Sequence, residues 1–253
     1  MSSEQSKGMF SCPPNPLKGE HPPLGGLGET GHLELNYDVV LASKSPRRQQ
    51  LLRDLGINFR VEVIEGIQED YPASMPAGEV AQFLAIQKAN NYFRFSSVPP
   101  SPPEGGCTDS SPLRELGGLG LEGASKAPLL LITADTIVVL DGEVLGKPAD
   151  AAEAHQMLRN LSGKVHHVIT GVCVTTFERQ ESFADVTEVE FAELTDDEIN
   201  YYIEHYRPMD KAGAYGIQEW IGYMGVKRIN GCFYNVMGLP VPRLYALLKS
   251  FDH

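Results

Sequence analysis

Hydrophobic and polar positions follow strand-like and helix-like periods in turn along most of the chain. Apolar residues alternate with polar ones at 57–63, which predicts a half-buried strand, and run continuously at 129–140, which predicts a buried one. At 79–93 the apolar positions recur every three or four residues, as in a helix that packs one face against a core. The same criteria predict a helix at 151–161, strands at 165–177 and 181–192, and helices at 195–205 and 241–251.

Turn signals divide these elements. Asp141-Gly142 directly follows the buried run, and Asn230-Gly231 lies farther along the chain; each dipeptide predicts a hairpin between antiparallel strands. Helices that cross between strands, together with such hairpins, predict an α/β fold with a mixed sheet.

Two segments lack any sustained period. Residues 1–36 and 96–128 are rich in Gly, Pro and Ser, a composition that is typical of chain without a packed core. We expect the first to be a flexible N-terminal tail and the second to be a disordered insert, with a functional lid as the alternative for the insert. The rest, residues 37–253, is expected to form one domain.

The charge balance narrows the classes of ligand. The chain has 253 residues and a formal net charge of −12, whereas sequence-independent binding of nucleic acid requires a basic surface. We therefore expect no nucleic-acid partner. If the ligand is a phosphorylated small molecule, the basic side chains must be concentrated in a pocket.

Signals of location point to the cytoplasm. No apolar run reaches transmembrane length, and the N-terminus lacks the charged and apolar regions of a signal peptide. We therefore expect no membrane contact. The cysteines form no Cys-x-x-Cys pair, which favours a reducing compartment over a disulfide framework. They are Cys12, Cys107, Cys173 and Cys232.

A strand-turn-helix stretch near the N-terminus has the features of an anion site. Ser45 is placed to cap a helix, and Pro46 suits the first helical position because its missing N–H would have no partner there. Arg47 and Arg48 then fall on the opening turn, where free backbone N–H groups and the helix dipole attract anions. A polyphosphate fits this arrangement, and two ordinary solvated arginines are the alternative.

Polar residues at apolar positions are further candidates. Lys88 lies on the apolar stripe of its predicted helix, where it either extends to solvent or serves a site. Asp135 interrupts the buried strand, and a lone buried carboxylate requires a cationic or metal partner. That partner belongs either to a structural salt bridge or to a functional site. Lys147 follows the first hairpin and is uninformative by itself.

Taken together, these positions resemble a known family. Six motifs occur in the order and at the spacing of Maf proteins, which are nucleoside triphosphate pyrophosphatases. The motifs are Ser43-Lys44-Ser45-Pro46-Arg47-Arg48, Ala134-Asp135-Thr136, Gly146-Lys147-Pro148, Ser162-Gly163 with His166 and Thr170-Gly171, the run from Asp210 to Gln218, and the run from Asn235 to Pro240. The resemblance extends over residues 37–251 and leaves out the insert.

The resemblance implies a fold and an activity. The fold is a Maf/ITPase-like two-lobed α/β structure with an elongated mixed β-sheet and a nucleotide cleft between the lobes. The activity is hydrolysis of a nucleoside triphosphate between its α and β phosphates with a divalent metal, Mg²⁺ or Mn²⁺. Relatives form dimers, so a homodimer is left open, although no sequence feature identifies an interface.

The resemblance also implies roles for individual residues. Asp135 matches the catalytic acid that accepts a proton, and it accepts one from water either because a metal acidifies that water or because burial makes the carboxylate a stronger base. Glu69 and Asp135 match positions near the metal; the family often has Asp where this chain has Gln68, and Asp70 adds another carboxylate, so the ligand set stays open. The residues that match triphosphate-binding positions are Arg47, Arg48, Lys88 and Lys147.

Three of the matched positions indicate which nucleotide base the chain accepts. Arg47, Thr136 and Gln218 match the group that acts on dTTP and UTP, whereas a sister group that acts on 7-methyl-GTP has Trp, Gln and Glu there. The neutral amide of Gln218 both donates and accepts, as the edge of uracil or thymine requires. We therefore expect a dTTP/UTP pyrophosphatase that clears canonical or modified pyrimidine triphosphates from the nucleotide pool. The alternatives are a 7-methyl-GTP-type Maf pyrophosphatase and a nucleotide-binding regulator of cell division with little turnover.

Overall fold

One mixed sheet organises the part of the chain that the computed structural model describes, which is residues 33, 35–63, 70–96 and 127–251. The strands are β1 (Asp38–Leu41), β2 (Arg60–Val61), β3 (Leu129–Leu140), β4 (Glu143–Leu145), β5 (Val165–Thr175), β6 (Gln180–Phe191) and β7 (Val226–Asn230). The helices are α1 (Pro46–Asp54), α2 (Ala77–Ser96), α3 (Ala151–Leu161), α4 (Asp196–Tyr206), α5 (Trp220–Gly225), α6 (Phe233–Met237) and α7 (Val241–Lys249). Two 3₁₀ turns, Pro208–Asp210 and Ala212–Ala214, connect α4 to α5.

The sheet confirms the predicted mixed α/β class. Its order is β2-β1-β3-β5-β6-β7, with β4 also paired to β3. The pairs β1–β2 and β1–β3 are parallel, and the other pairs are antiparallel. The buried run at 129–140 forms β3, and Asp141-Gly142 turns it into β4, as the hairpin signal predicted. The two-lobed arrangement stays a prediction.

A gap in strand pairing lies along one edge of β3. On that edge β1 pairs with residues 129–132 and β4 pairs with residues 138–140. Along this edge, no described strand pairs with the residues of β3 between these two segments, although β5 pairs with them on the other edge. The loop that leaves β1 towards α1 and the loop that leaves β4 both turn away at this gap, and Asp135 and Thr136 lie within it.

The two faces of the sheet carry different cores. Helix α2 covers one face, where Leu131, Ile137 and Val139 of β3 are buried against it. On the other face, one apolar cluster contains β1, α1 and α7, and a second contains α3, α4 and α5. Along β3, Ala134 belongs to the first of these clusters and Val138 to the second, so Thr136 lies between them.

Short sequence motifs mark where helices begin. Ser45 caps α1 by accepting the N–H of Arg48, and Pro46 is the first residue of that helix. Thr195 and Glu198 form the reciprocal capping box that opens α4. These motifs act between residues close in sequence, so sequence alone is enough to place them.

Two predictions were wrong. Only Arg60–Val61 of the strand expected at 57–63 pairs, because its partner β1 is short and only Val40 and Leu41 face it. Asn230-Gly231 does not join two strands, because β7 ends there and the chain enters α6. Gly231 has a φ of +134° and lies so close to β6 that a Cβ would be 2.7 Å from Thr187 Oγ1. The absence of a side chain at Gly231 therefore lets the chain pass close to β6 as it enters α6.

The remaining predictions concern the N-terminal tail, the insert, membrane contact and the cysteines. The predicted tail at 1–36 and insert at 96–128 lie outside the described residues except at their edges. Within the described segments, no helix combines the length and apolar character that crossing a bilayer requires. Cys173 and Cys232 are free thiols.

Candidate active site

A cavity of about 490 Å³ opens at the gap along β3. Its wall comes from the loop between β1 and α1, the middle of β3, the loop after β4, the 3₁₀ segment before α5, and the end of α6. Seven of the eight predicted site residues line this one cavity: Arg47, Arg48, Lys88, Asp135, Thr136, Lys147 and Gln218. The eighth, Glu69, lies outside the described residues.

The two arginines of α1 are oriented by the end of α6. Arg47 Nε donates to Met237 O at 3.2 Å, and Arg48 Nε donates to Gly238 O at 2.8 Å. Carbonyl groups at a helix C-terminus carry partial negative charge, so they stabilise guanidinium groups beside them. The motif at 235–240 therefore supports the cations of the motif at 43–48.

A hydroxyl chain connects Arg48 to the centre of the sheet. Arg48 Nη2 donates to Thr136 Oγ1 at 2.8 Å, and Thr136 Oγ1 lies 3.0 Å from Thr170 Oγ1. Thr170 then donates to the backbone oxygen of Asn235 at 2.9 Å. Because each hydroxyl is held on both sides, Thr136 has a fixed orientation at the cavity wall.

Asp135 is the carboxylate at the centre of the gap. Its side chain is 12% exposed, and Lys88 Nζ on α2 donates to its Oδ1 at 2.5 Å. Its other oxygen has no partner among the described residues. The ion pair supplies the cationic partner that a buried carboxylate in an apolar strand requires.

A glycine lets α2 approach closely enough for this pair. Gly171 on β5 is registered directly opposite Asp135. A Cβ at Gly171 would lie 2.2 Å from the backbone oxygen of Ala81 on α2. The absence of a side chain therefore sets the distance between α2 and the sheet, and Lys88 lies two helical turns beyond Ala81.

The edge of β3 also presents backbone groups to the cavity. Ala42 N–H donates to Ile132 O at 2.9 Å, so even-numbered residues of β3 direct their backbone groups towards this edge. Ala134 and Thr136 lie within the gap, where no described strand pairs with them on this edge of β3. Their N–H and C=O groups are therefore available to a ligand in the cavity.

Positive charge is concentrated at this cavity in an otherwise acidic chain. Lys147, which follows β4, is exposed and has no ion-pair partner among the described residues. Asp135 and Asp210 are the only carboxylates among the described residues of the wall. The basic residues of the wall are Lys44, Arg47, Arg48, Lys88, Lys147 and Lys211. This excess of cations suits a polyanion.

Lys211 is held by two protein carboxylates. Its Nζ lies 2.8 Å from Asp210 Oδ1 and 3.1 Å from Glu219 Oε1, and its side chain is 8% exposed. The pair with Asp210 joins adjacent residues and supports the turn before Gln218. Sequence reasoning missed Glu219, because a plain glutamate next to Gln218 gives no signal of its fold-back onto Lys211.

Gln218 has an unsatisfied group at the cavity. Its Oε1 is buried and has no hydrogen-bond partner among the described residues. Leaving a buried acceptor unpaired costs free energy, which a donor on a bound ligand would recover. The amide of this wall residue therefore has an unused hydrogen-bond acceptor.

A buried histidine supports the cavity wall from behind. His166 Nε2 lies 2.7 Å from the hydroxyl of Tyr215, which lines the cavity. Burial, with a smaller contribution from the neighbouring His167, lowers the pKa of His166 from 6.5 to about 4, so its ring is neutral at pH 7. His167 faces the other side of the sheet near Glu188, so the two adjacent histidines do not share a ligand.

The described carboxylates of the cavity suit Mg²⁺ when phosphate oxygens and waters provide most of its ligands. No described group of three or more His, Cys, Asp or Glu side chains is arranged to hold a metal. Mg²⁺ needs only one or two protein carboxylates when phosphate oxygens and waters complete its shell. The second oxygen of Asp135 would be one such ligand.

Sequence comparison bears on what this cavity does. The family described as Maf-like protein matches residues 38–251, which is most of the chain. The chain belongs to the Maf family. This confirms the resemblance recognised in the motifs, and the mixed sheet is consistent with Maf membership.

Three curated relatives carry the same name. A dTTP/UTP pyrophosphatase of Phocaeicola vulgatus is 50% identical over 214 residues, which cover 85% of this chain and 96% of the relative. A protein of the same name from Bacteroides thetaiotaomicron is 46% identical over 87% of this chain and 98% of its own. One from Porphyromonas gingivalis is 46% identical over 85% and 94%. The similarity to these relatives therefore extends over nearly their whole lengths.

Proposed function

We propose that this Maf chain is a dTTP/UTP pyrophosphatase, which hydrolyses these nucleotides to the monophosphate and pyrophosphate. One observation carries the proposal. A single cavity holds a nearly buried carboxylate, an excess of basic side chains and the three residues predicted to select a pyrimidine. The name shared by the relatives supports the same activity.

The triphosphate is bound by the cations of the wall. Arg47 and Arg48 present guanidinium groups at the start of α1, where backbone N–H groups and the helix dipole also attract anions. Lys147 approaches from the loop after β4, on the other side of the gap. Lys88 is beside Asp135 and offsets charge on the carboxylate and on phosphate together.

Hydrolysis then takes place at the α-phosphorus. Asp135 accepts a proton from a water molecule through its free oxygen while the water oxygen forms a bond to the α-phosphorus. The bond from the α-phosphorus to the oxygen that bridges it to the β-phosphorus breaks, and that oxygen leaves with pyrophosphate. The fixed cations stabilise the charge that develops on phosphate oxygens in the transition state.

A divalent cation is part of this proposal. Asp135 and Glu69 are the residues that would hold Mg²⁺ or Mn²⁺ beside the triphosphate. When bound, the metal neutralises phosphate charge and acidifies a coordinated water. Asp135 contributes its free oxygen to either task, because its other oxygen is held by Lys88.

The base is recognised by the part of the wall that carries Gln218. Gln218 offers an unpaired amide oxygen, which can accept the N3–H group of uracil or thymine. Arg47 and Thr136 complete the pyrimidine pattern and line the same wall. A carboxylate in place of Gln218 would instead favour a base that offers several donors or carries positive charge.

The test is a substrate panel. Purified protein is mixed with dTTP, UTP, CTP, 7-methyl-GTP or ATP in the presence of Mg²⁺ or Mn²⁺, and pyrophosphate release is followed. We expect dTTP and UTP to give the highest kcat/KM values and no release when the metal is chelated. Preference for 7-methyl-GTP would assign the chain to the sister group. Binding of nucleotides without release would instead indicate a regulator.

Wider roles follow from the same proposal. Hydrolysis of canonical or modified pyrimidine triphosphates would remove them from the nucleotide pool, in the cytoplasm. The homodimer that the family resemblance leaves open stays a prediction.

A further inference from the structure

The turn that carries Gln218 is held at two points by one buried hydroxyl. Tyr202 on α4 is fully buried. Its hydroxyl donates to Glu219 and accepts the backbone N–H of Gly216 at 3.0 Å. Glu219 N–H also donates to Gly216 O at 3.0 Å, which closes a four-residue turn with Gln218 at its third position. The hydroxyl thus contacts residues on both sides of Gln218.

The surroundings of Glu219 reinforce this contact. Lys211 Nζ lies 3.1 Å from Glu219 Oε1 and balances its charge. A Cβ at Gly216 would lie 2.8 Å from the carboxyl carbon of Glu219, so glycine is what allows the carboxylate to fold back over the turn. Burial, and then the hydrogen bond and charge of Glu219, raise the pKa of the Tyr202 hydroxyl, which therefore remains a donor.

The position of this turn decides where the Gln218 amide lies. Gln218 lines the cavity, and its Oε1 is buried without a partner among the described residues. A group that must meet a base edge at hydrogen-bond distance tolerates little displacement of its backbone. Tyr202 itself is absent from the cavity wall, so it can act there only through the turn.

We propose that Tyr202 is a positioning residue that fixes Gln218 in the cavity wall through Gly216 and Glu219. The proposal rests on the proposed function, because it assumes that Gln218 contacts the base. The triphosphate cations belong to other elements, namely α1, α2 and the loop after β4. Loss of the Tyr202 hydroxyl should therefore weaken binding of the base and leave binding of phosphate and the chemical step unchanged.

The test compares Tyr202→Phe with Tyr206→Phe, which removes the same atom one helical turn away. The ring of Tyr206 stacks on that of Tyr202 with centroids 5.1 Å apart, and its hydroxyl has no partner among the described residues. For Tyr202→Phe we expect the KM for dTTP to rise about tenfold, equivalent to about 1.4 kcal/mol, while kcat changes less than about twofold. Tyr206→Phe should match the wild type.

Product inhibition separates a positioning role from a general loss of structure. In Tyr202→Phe the inhibition constant of dTMP, which contains the base, should rise by the same factor as KM. That of pyrophosphate, which lacks the base, should not change. A variant that is only less stable would lower the concentration of active enzyme and leave both inhibition constants at wild-type values.

A second variant keeps the test decisive if Tyr202→Phe does not fold. Glu219→Gln retains an acceptor for Tyr202 but loses the charge that attracts Lys211, and it should give the same pattern with a smaller rise in KM. Unchanged KM for dTTP, or equal shifts for dTMP and pyrophosphate, would overturn the positioning role. Failure of the wild type to hydrolyse pyrimidine triphosphates would overturn the proposed function instead, and the same comparison would then use the nucleotide that it prefers.

Discussion

Asp135 is a nearly buried carboxylate whose charge is compensated by an ion pair. Its side chain is 12% exposed, and one oxygen receives the Lys88 ammonium at 2.5 Å. The ion pair makes burial of the carboxylate tolerable, while the second oxygen is left for chemistry. A carboxylate in this environment keeps its place in an apolar strand because the pair, and not solvent, compensates its charge.

Replacement of Asp135 by Asn tests this role. The amide keeps the shape of the side chain and an acceptor for Lys88, but it cannot take a proton from water. We expect kcat for dTTP to fall by about 10²–10⁴-fold, while dTTP binds at least as tightly because a negative charge has left the anion site. Pyrophosphate release and calorimetric titration measure the two quantities.

A carboxylate outside the cavity provides the control for this substitution. Asp197→Asn, at an exposed position on α4, should behave like the wild type. Turnover by Asp135→Asn at the wild-type rate would remove Asp135 from the mechanism.

His166 gives the fold a dependence on pH. Burial lowers its folded-state pKa from 6.5 to about 4. Between these values the unfolded chain binds a proton that the folded protein does not, so stability is lost as the pH falls from 6.5 towards 4. We expect this residue to reduce the free energy of unfolding by about 2 kcal/mol between pH 7 and pH 5.

Urea titrations at the two pH values test this dependence. In His166→Gln the difference between pH 7 and pH 5 should shrink by the same amount. His167→Gln, which alters a side chain that is 45% exposed and contributes less than burial to the shift, should keep most of the wild-type difference. Equal pH dependence in wild type and His166→Gln would contradict the assignment.

Helix α2 brings its lysine to the sheet through one point of close contact. Ala81 packs directly over Gly171, and Gly171 is registered opposite Asp135. Thr133 also donates to the backbone oxygen of Ala85 at 2.7 Å, which fixes the helix along the strand. The position of Lys88 therefore depends on the packing of the whole helix.

Addition of one methyl group at this contact should disturb the site. We expect Gly171→Ala to lower the free energy of unfolding by about 1–3 kcal/mol, because a Cβ would overlap the backbone of α2. Lowered kcat should accompany this loss, because Lys88 moves relative to Asp135. Thermal unfolding and steady-state kinetics measure both effects.

The matched control lies in α2 itself. At Gly78 a Cβ would meet nothing within 4 Å, so Gly78→Ala should be neutral or stabilise the helix by up to about 1 kcal/mol. If Gly171→Ala were as stable and active as Gly78→Ala, the close contact would not set the position of α2.

Local signals and long-range contacts differ in how well the sequence predicts them. The cap at Ser45 and the turn at Asp141-Gly142 depend on adjacent residues and were predicted. Helix α6 has five residues, too few for a period, and it was missed. Its place depends on fully buried Asn235, whose Nδ2 donates to Val168 O and Thr187 Oγ1 on the sheet.

The same distinction applies to the candidate site. The chemistry of Asp135 was predicted because a carboxylate in an apolar strand needs a partner. The identity of that partner could not be derived from spacing, because Lys88 is 47 positions away. The support of Arg47 and Arg48 by carbonyl groups, 190 positions along the chain, was likewise beyond local reasoning.

The molecule as a whole is acidic, yet its cavity is basic. A net charge of −12 repels nucleotides at a distance, while the excess of basic residues over carboxylates in the wall attracts them at close range. Both effects are screened by salt, but the local charges lie within a Debye length of a bound triphosphate. The attraction within the cavity should dominate the observed salt dependence.

We expect kcat/KM for dTTP to fall several-fold when monovalent salt rises from about 0.05 M to about 0.5 M at constant free Mg²⁺. Most of the change should be in KM, because kcat depends on groups held inside the cavity. Lys147→Met should weaken the salt dependence, since it removes an exposed cation of the wall. A rise in kcat/KM with salt would show that the overall negative charge dominates instead.

The proposed mechanism depends on attack of water, activated by Asp135, at the α-phosphorus rather than the β-phosphorus. Hydrolysis of dTTP in ¹⁸O-labelled water, followed by mass spectrometry of both products, distinguishes the two. We expect one labelled oxygen in dTMP and none in pyrophosphate. Label in pyrophosphate, or release of dTDP and phosphate, would contradict it.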